Sequence, residues 1–426
     1  MARFLLTLWP YPTHVRPFMA VAQALRRRGH EVAAYTGGDG AAAFKAEGFR
    51  VYPFVRTSWP GVQTAVERLI ADRRRIRKLG SLWKAFLIDT VPAQVEDVDE
   101  ILADWEADVI LCDLAMCGPY LATRERNGIP VAMLSHVAYC LLPGPRGPVP
   151  GSVLPRDGGP MTTLLAWAIA ATVSRVVGAT AQGARELRRR YGLPNVGKAV
   201  TELSGEADLY LQPSAPDFDY FRDDLPSNVH YVGACLWSGP SADQRPAWID
   251  SIPRERPWVL VEEGALHTNE APLLEAAARL TGLPCEIIIL RGEGRRPSEL
   301  PLSAAGVGIR VHDWVALAHI LPLVDVMVTN ANSDSVLFAL DAGCPIVAVP
   351  SIWDQMETAR QIESAGAGVR LPLAHCTPRS LRTTVARVLA TPSFRADAKR
   401  IGHALRALGG ANRAAELLDR LIQRRG

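Results

Sequence analysis

The chain has 426 residues, of which 48% are hydrophobic and 21% charged, with a formal net charge of +3. That length predicts two or three domains, each with enough apolar material for its own core. Nothing in so small a charge calls for nucleic acid or an anionic membrane surface as a partner. The chain opens on an apolar strand, RFLLTLW, with no basic leader ahead of it, so no secretion signal is expected and the location is read as cytoplasmic. A loop with two prolines follows, YPTHVRP, and then helical apolar spacing in PFMAVAQALRRRGH that stops at Gly29. EVAAYT completes a strand–helix–strand unit, for which a parallel pair and a right-handed crossover are expected.

More such units follow. GFRVYPF reads as a strand, and residues 66–78 as an arginine-rich helix with a solvated face. ADVILCD is a buried strand ending at Asp113, and IPVAMLSH another ending at His136. Residues 143–160, rich in proline and glycine, read as loop. The apolar stretch 161–177 is slightly short for a membrane span and is interrupted by Ser174 and Arg175, so it reads as a buried or pocket-lining helix. A helix ending at Gly192 and the strands ADLYLQ and VHYVGA close this half. The polar, proline-rich SGPSADQRPAWIDSIPRERP marks a linker, assigned to residues 238–256. The rhythm then restarts: WVLVEEG, a helix, CEIIILRG, GIRVHDW, DVMVTNA, a second helix and PIVAVP. The expected organisation is an N-terminal α/β domain over 1–237, a second over 257–400, and a C-terminal helical segment over 401–426 that packs back towards the first. Two doubly wound halves should leave a cleft, and ligands of such sheets bind beyond the carboxyl ends of the strands. His14 and Asp113 both fall at or just after strand ends.

Cys112, Cys117, Cys140, Cys235, Cys285, Cys344 and Cys376 are scattered, odd in number and form no CxxC pair. They read as buried small hydrophobes in a reduced protein, not as a disulfide framework or a zinc site. No GxGxxG follows a strand, which disfavours a dinucleotide cofactor. RGEGRRP could meet an anion but lacks the ending of a P-loop.

Several segments together resemble one family. THVRPFMAVAQALRRRGHEVAAYTG resembles the opening of bacterial antibiotic and macrolide glycosyltransferases, in which a histidine precedes x-x-Pro. ARELRRRYGLP resembles their helix-ending segment. HDWVALAHILPLVDVMVTN followed by ALDAGCPIVAVPSIWDQMETARQIESAGAG resembles their C-terminal donor signature, and the likeness runs in order along the whole chain. The resemblance implies a GT-B fold, with two Rossmann-like doubly wound domains facing a cleft. It implies transfer of a sugar from a nucleoside diphosphate such as UDP or TDP to a hydrophobic small-molecule acceptor, with inversion and no tightly bound cofactor or metal.

Within that resemblance His14 stands at the position of the general base and Asp113 at that of its partner carboxylate. A histidine titrates near neutrality and can take the proton of an attacking hydroxyl. A carboxylate behind it fixes the tautomer and stabilises the imidazolium. The plainer readings are a loop histidine that packs a turn and an aspartate that caps the next helix. His136, and a set of aromatics comprising Trp59, Trp83, Phe86 and Trp167, could line the acceptor pocket or simply pack.

The donor half departs from the pattern. Where the family has His-Gly-Gly-x-Gly-Thr/Ser, this chain reads Asn330-Ala331-Asn332-Ser333-Asp334-Ser335. Three glycines that would let backbone approach phosphates are gone, although Ser335 keeps a phosphate-compatible side chain beside Ser333. The first C-terminal strand ends Glu262-Glu263-Gly264-Ala265 in place of hydroxyl residues, and Phe338 replaces the ribose-binding glutamate. Trp314 and Val315 keep the positions that face the base, and Asp354-Gln355 those that hold sugar hydroxyls, with a helix N-cap as the plainer reading of Asp354. The reading is therefore a glycosyltransferase with an atypical donor site. Two alternatives are a repurposed enzyme using His14 and Asp113 for proton transfer without a nucleotide sugar, and an accessory partner of a glycosyltransferase. Assembly as a homodimer is left open.

Overall fold

The computed structural model describes residues 1–64, 84–116, 118–119, 128–135, 182–192, 207–219, 222–239, 244–264, 272–280, 282–292, 308–351 and 354–423. The arginine-rich helix, the 143–160 loop, the apolar 161–177 stretch, His136, Trp83, Trp167, Cys117, Cys140 and most of RGEGRRP lie outside the described residues. Two compact units divide the chain: residues 1–213, 222–235 and 410–426 form the first, and 214–221 with 236–409 the second.

In the first unit, β1 (Arg3–Thr7) leads into α1 (Pro12–Arg27), then β2 (Glu31–Thr36), α2 (Gly38–Ala46), β3 (Arg50–Pro53), α3 (Val91–Asp104), β4 (Val109–Asp113), β5 (Val131–Leu134), β6 (Leu209–Gln212) and β7 (Val229–Tyr231). Pro12 starts α1, where its missing N–H costs nothing, and Arg26 and Arg27 suit the negative helix end. Gly29, at φ 84°, turns the chain out of the helix in a conformation other residues resist. The strands form one parallel sheet in the order β3-β2-β1-β4-β5-β6-β7. Phe4, Leu5, Leu6 and residues Val109 to Cys112 are wholly buried, as expected of parallel strands covered on both faces.

The second unit repeats the plan. β8 (Trp258–Glu262), α4 (Pro272–Ala278), β9 (Glu286–Leu290), β10 (Ile309–His312), β11 (Val326–Thr329), α5 (Ser333–Asp341), β12 (Ile346–Ala348), α6 (Gln355–Ser364), β13 (Gly368–Arg370), α7 (Pro378–Ala390) and α8 (Pro392–Ala407) follow in order. Its sheet is parallel, ordered β10-β9-β8-β11-β12-β13. Val259, Val261, Ile287, Ile289, Val326 and Val328 point to one face and pack under Leu381, Val385 and Val388 of α7. Leaving these side chains exposed would cost roughly 1.5–3 kcal/mol each. The expected pair of doubly wound halves is borne out.

After α8 the chain re-enters the first unit as α9 (Gly410–Gln423), which packs on α1. Ala414, Ala415, Leu417 and Leu418 form its buried stripe. Asp419 joins Arg28 and His30 on the other side of the contact, with His30 Nε2 at 2.7 Å. No helix of the described residues is long and apolar enough to cross a membrane.

Both sheets place their first and fourth strands side by side, β1 with β4 and β8 with β11. At that reversal the connections leave in opposite directions, and in such sheets ligands bind in the crevice beyond the carboxyl ends of the two strands.

Candidate active site

The crevice of the first unit holds His14 and Asp113. Asp113 is the last residue of β4, which pairs in register with β1, and His14 is the third residue of α1, the helix that leaves β1. The pairing Thr7↔Cys112 brings the two side chains together. His14 Nδ1 contacts Asp113 Oδ2 in a short hydrogen bond, with His14 6% exposed and Asp113 wholly buried. The carboxylate also accepts the backbone N–H of Trp9 at 3.3 Å and of Ala115 at 2.8 Å. An ionised carboxylate only accepts, so Nδ1 carries the proton of the shared bond and Nε2 is the basic nitrogen of the ring.

Aromatic rings surround the pair. The Trp9 ring stacks on Phe86 at 4.9 Å and lies 6.0 Å from Trp59, while its indole N–H donates to the Ala115 carbonyl at 2.8 Å. Tyr11 meets Trp59 edge-on at 4.8 Å and lies 5.5 Å from the His14 ring. Residues 55–57, just ahead of Trp59, are held by the buried Asp97, which accepts the backbone N–H groups of Val55, Arg56 and Thr57. Asp97 also accepts the Tyr35 hydroxyl at 2.7 Å, and Tyr35 is held far above the ordinary phenol range, by burial first. Trp59 and Phe86 were marked by the sequence. Trp9, Tyr11 and Asp97 were not, although LWPYPTH sets two aromatics in a turn otherwise built of prolines.

The crevice of the second unit is filled by side-chain amides. Asn330 Oδ1 accepts the Gly264 N–H at 3.2 Å and Asn332 Nδ2 at 2.8 Å. Asn332 Oδ1 accepts Gln355 Nε2 at 3.2 Å. Gln355 Oε1 in turn accepts the Ser351 N–H at 3.0 Å and its hydroxyl at 2.8 Å. Asn330, Asn332 and Gln355 are all at most 3% exposed. Asn332 occupies the N-cap position of α5, yet its side chain makes no cap bond. Ala331, between the two asparagines, sits at φ 65°, a left-handed conformation that a non-glycine residue adopts at a cost.

Glu262 accepts the Thr329 hydroxyl at 3.0 Å. Burial first, and then the Glu263 carboxylate, push the Cys376 thiol up to about 11. Ser335 is buried in the first turn of α5 and Ser333 half-buried. Val315 is buried, so its side chain has no face to offer a base, whereas Trp314 is 37% exposed. Asp354 stands at the N-cap of α6 with helical backbone angles and no side-chain cap bond, contrary to its plainer reading. Phe338 lies in the core. Cys112, Cys235, Cys285 and Cys344 are buried free thiols. Among the described residues no group of histidine, cysteine and carboxylate side chains is placed to hold a metal.

Comparison with known proteins gives a consistent picture. Residues 273–414 match the family described as erythromycin biosynthesis protein CIII-like, C-terminal domain. The chain is 30% identical to 4'-demethylrebeccamycin synthase of Lentzea aerocolonigenes, over 99% of this chain and 100% of that protein. Its fold is similar to that of the glycotransferase of kitacinnamycin, with a TM-score of 0.76 at 20% identity over 99% of each chain. It is also similar to the glycosyltransferase VinC solved in complex with DTDP, with a TM-score of 0.68 at 18% identity over 99% of this chain and 100% of that one.

Proposed function

The chain belongs to the GT-B-fold family of natural-product glycosyltransferases, and on that premise we propose that it moves a sugar from a nucleoside diphosphate to a hydroxyl of a hydrophobic small molecule, with inversion and with His14 as general base. The observation that carries this reading is the buried His14–Asp113 pair. As the acceptor oxygen bonds to the anomeric carbon, His14 Nε2 takes its proton. The bond from that carbon to the diphosphate oxygen breaks, and the electron pair leaves with the diphosphate. Asp113 holds the ring in the reactive tautomer and offsets the imidazolium charge. Trp314 offers an exposed aromatic face to the nucleoside base. Asn330, Ser333 and Ser335 would lie towards the phosphates, and Asp354 and Gln355 towards the sugar. The buried free thiols support a reducing compartment, the cytoplasm.

The test uses TDP- and UDP-sugars with a panel of polycyclic hydroxylated acceptors, and reads mass gain of the acceptor. His14→Ala is expected to fold as the parent does and to lose about 10²–10⁴-fold in turnover. Turnover equal to the parent's would overturn the assignment.

The amide-filled second crevice favours one alternative, in which His14 and Asp113 move protons within a polyketide-like substrate in a cyclisation, isomerisation or elimination. Conversion of such a molecule with no nucleotide sugar present identifies it.

A further inference from the structure

Topology alone marks the crevice beyond β8 and β11 as the place where a ligand of the second sheet would sit. A phosphate there needs close backbone approach and donors that are not otherwise engaged. Instead, the side chain of Asn332 lies directly over Gly264. A methyl group built on Gly264 would overlap the Asn332 amide nitrogen, and would meet its Cβ at 3.0 Å. Gly264 lacks a side chain, and the space a side chain would use is taken by Asn332.

Asn332 is committed at both ends. Its Nδ2 donates to Asn330, and its Oδ1 accepts from Gln355. Gln355 is tied onward to Ser351, and Asn330 back to the Gly264 N–H. Three connections are thereby laced together: those leaving β8, β11 and β12. The N-cap side chain turns sideways into this lacing instead of capping its own helix. Asparagine is among the strongest capping residues, so its diversion needs competing partners, and the lacing supplies them.

We infer that Asn332 is a built-in occupant of the diphosphate subsite. Its carboxamide stands where phosphate oxygens would, and a nucleoside diphosphate binds only after the Asn330–Asn332–Gln355 lacing opens. This rests on reading the second crevice as the donor subsite. The plug makes affinity for the diphosphate group low in the native chain and ties it to a single side chain. The base and the nucleoside portion are not gated in this way.

Calorimetric titration of the full chain with TDP, and separately with thymidine, tests the inference. Asn332→Gly and Asn332→Ala are the variants, each first checked for a native-like melting transition. TDP is expected to bind each variant at least about tenfold more tightly than the native chain, a difference of about 1.4 kcal/mol. Thymidine affinity should stay within about twofold of the native value. Equal TDP affinity in all three proteins, including no binding by any, overturns the plug. So does an equal gain for thymidine, which would mean that the whole site had been remodelled. The binding readout needs neither acceptor nor His14, so failure of the transfer reading leaves this result interpretable on its own.

Discussion

The two crevices occupy equivalent places in their sheets and are furnished in opposite ways. Beyond β1 and β4 the side chains meeting there are ionisable, an imidazole against a carboxylate already held by two backbone N–H groups. Beyond β8 and β11 neutral carboxamides satisfy one another in series, beside a Glu262 carboxylate that accepts the Thr329 hydroxyl. An imidazole whose Nδ1 donates to a carboxylate carries its basic lone pair on Nε2. Laced amides have spent their donors and acceptors on structure, and a buried network of that kind rigidifies its surroundings. Topology supplies both sites alike, so residue chemistry alone separates the ionisable pair of the first from the laced amides of the second.

The largest effect expected from this contrast belongs to Asp113→Asn. The amide would present an N–H to His14 Nδ1, forcing the ring into the tautomer with Nε2 protonated and so unable to accept. Turnover should fall about 10²–10⁴-fold while TDP affinity stays near native, and the melting transition should drop, because the amide leaves the Trp9 or the Ala115 N–H without its acceptor. Steady-state kinetics with calorimetry on the same preparation checks both halves. A comparable loss of TDP affinity would break the separation between the two crevices.

Gln355 should behave in the opposite way. Its Nε2 and Oε1 are both engaged in the lacing, so Gln355→Ala strands a buried partner on Asn332 and a half-buried one on Ser351. Each stranded buried group costs about 1–3 kcal/mol, and the loss should appear in urea unfolding as a lower midpoint with the slope unchanged. If Gln355 instead served only to hold sugar hydroxyls, stability would be untouched and only KM for the donor would rise.

The α/β alternation was legible because buried parallel strands read as short apolar runs, such as VILCD and EIIIL, set between amphipathic helices. His14 and Asp113 were legible as strand-end residues, and strand register brings them into contact. The amide lacing was not legible, because it joins Gly264, Asn330, Asn332, Ser351 and Gln355 from three separate connections and no periodicity links them. Nor could the sequence show that the carboxylate of Glu262, the last residue of β8, accepts the Thr329 hydroxyl of the neighbouring strand. Trp9 and Tyr11 were masked by the prolines around them, which signal only a turn.

Ala331 offers the smallest effect and the sharpest question about the backbone. It holds a left-handed conformation at the position where the family pattern has glycine. Its methyl group is wholly buried. Ala331→Gly would relieve about 1–2 kcal/mol of left-handed strain. Against that stand about 0.4–1 kcal/mol of added freedom in the unfolded chain and about 0.8 kcal/mol for the lost buried methyl. These terms nearly cancel, so the urea midpoint should move by no more than about 0.8 kcal/mol in equivalent stability. Ala331→Val makes the complementary test, since a β-branched residue is a severe outlier at positive φ and should destabilise by more than about 2 kcal/mol. A neutral glycine with a damaging valine would mean that the loop keeps the turn a glycine would make, and that the closure of the second crevice lies in its side chains. A valine as stable as alanine would place the closure in the backbone itself, and removing Asn332 alone would then not open the site.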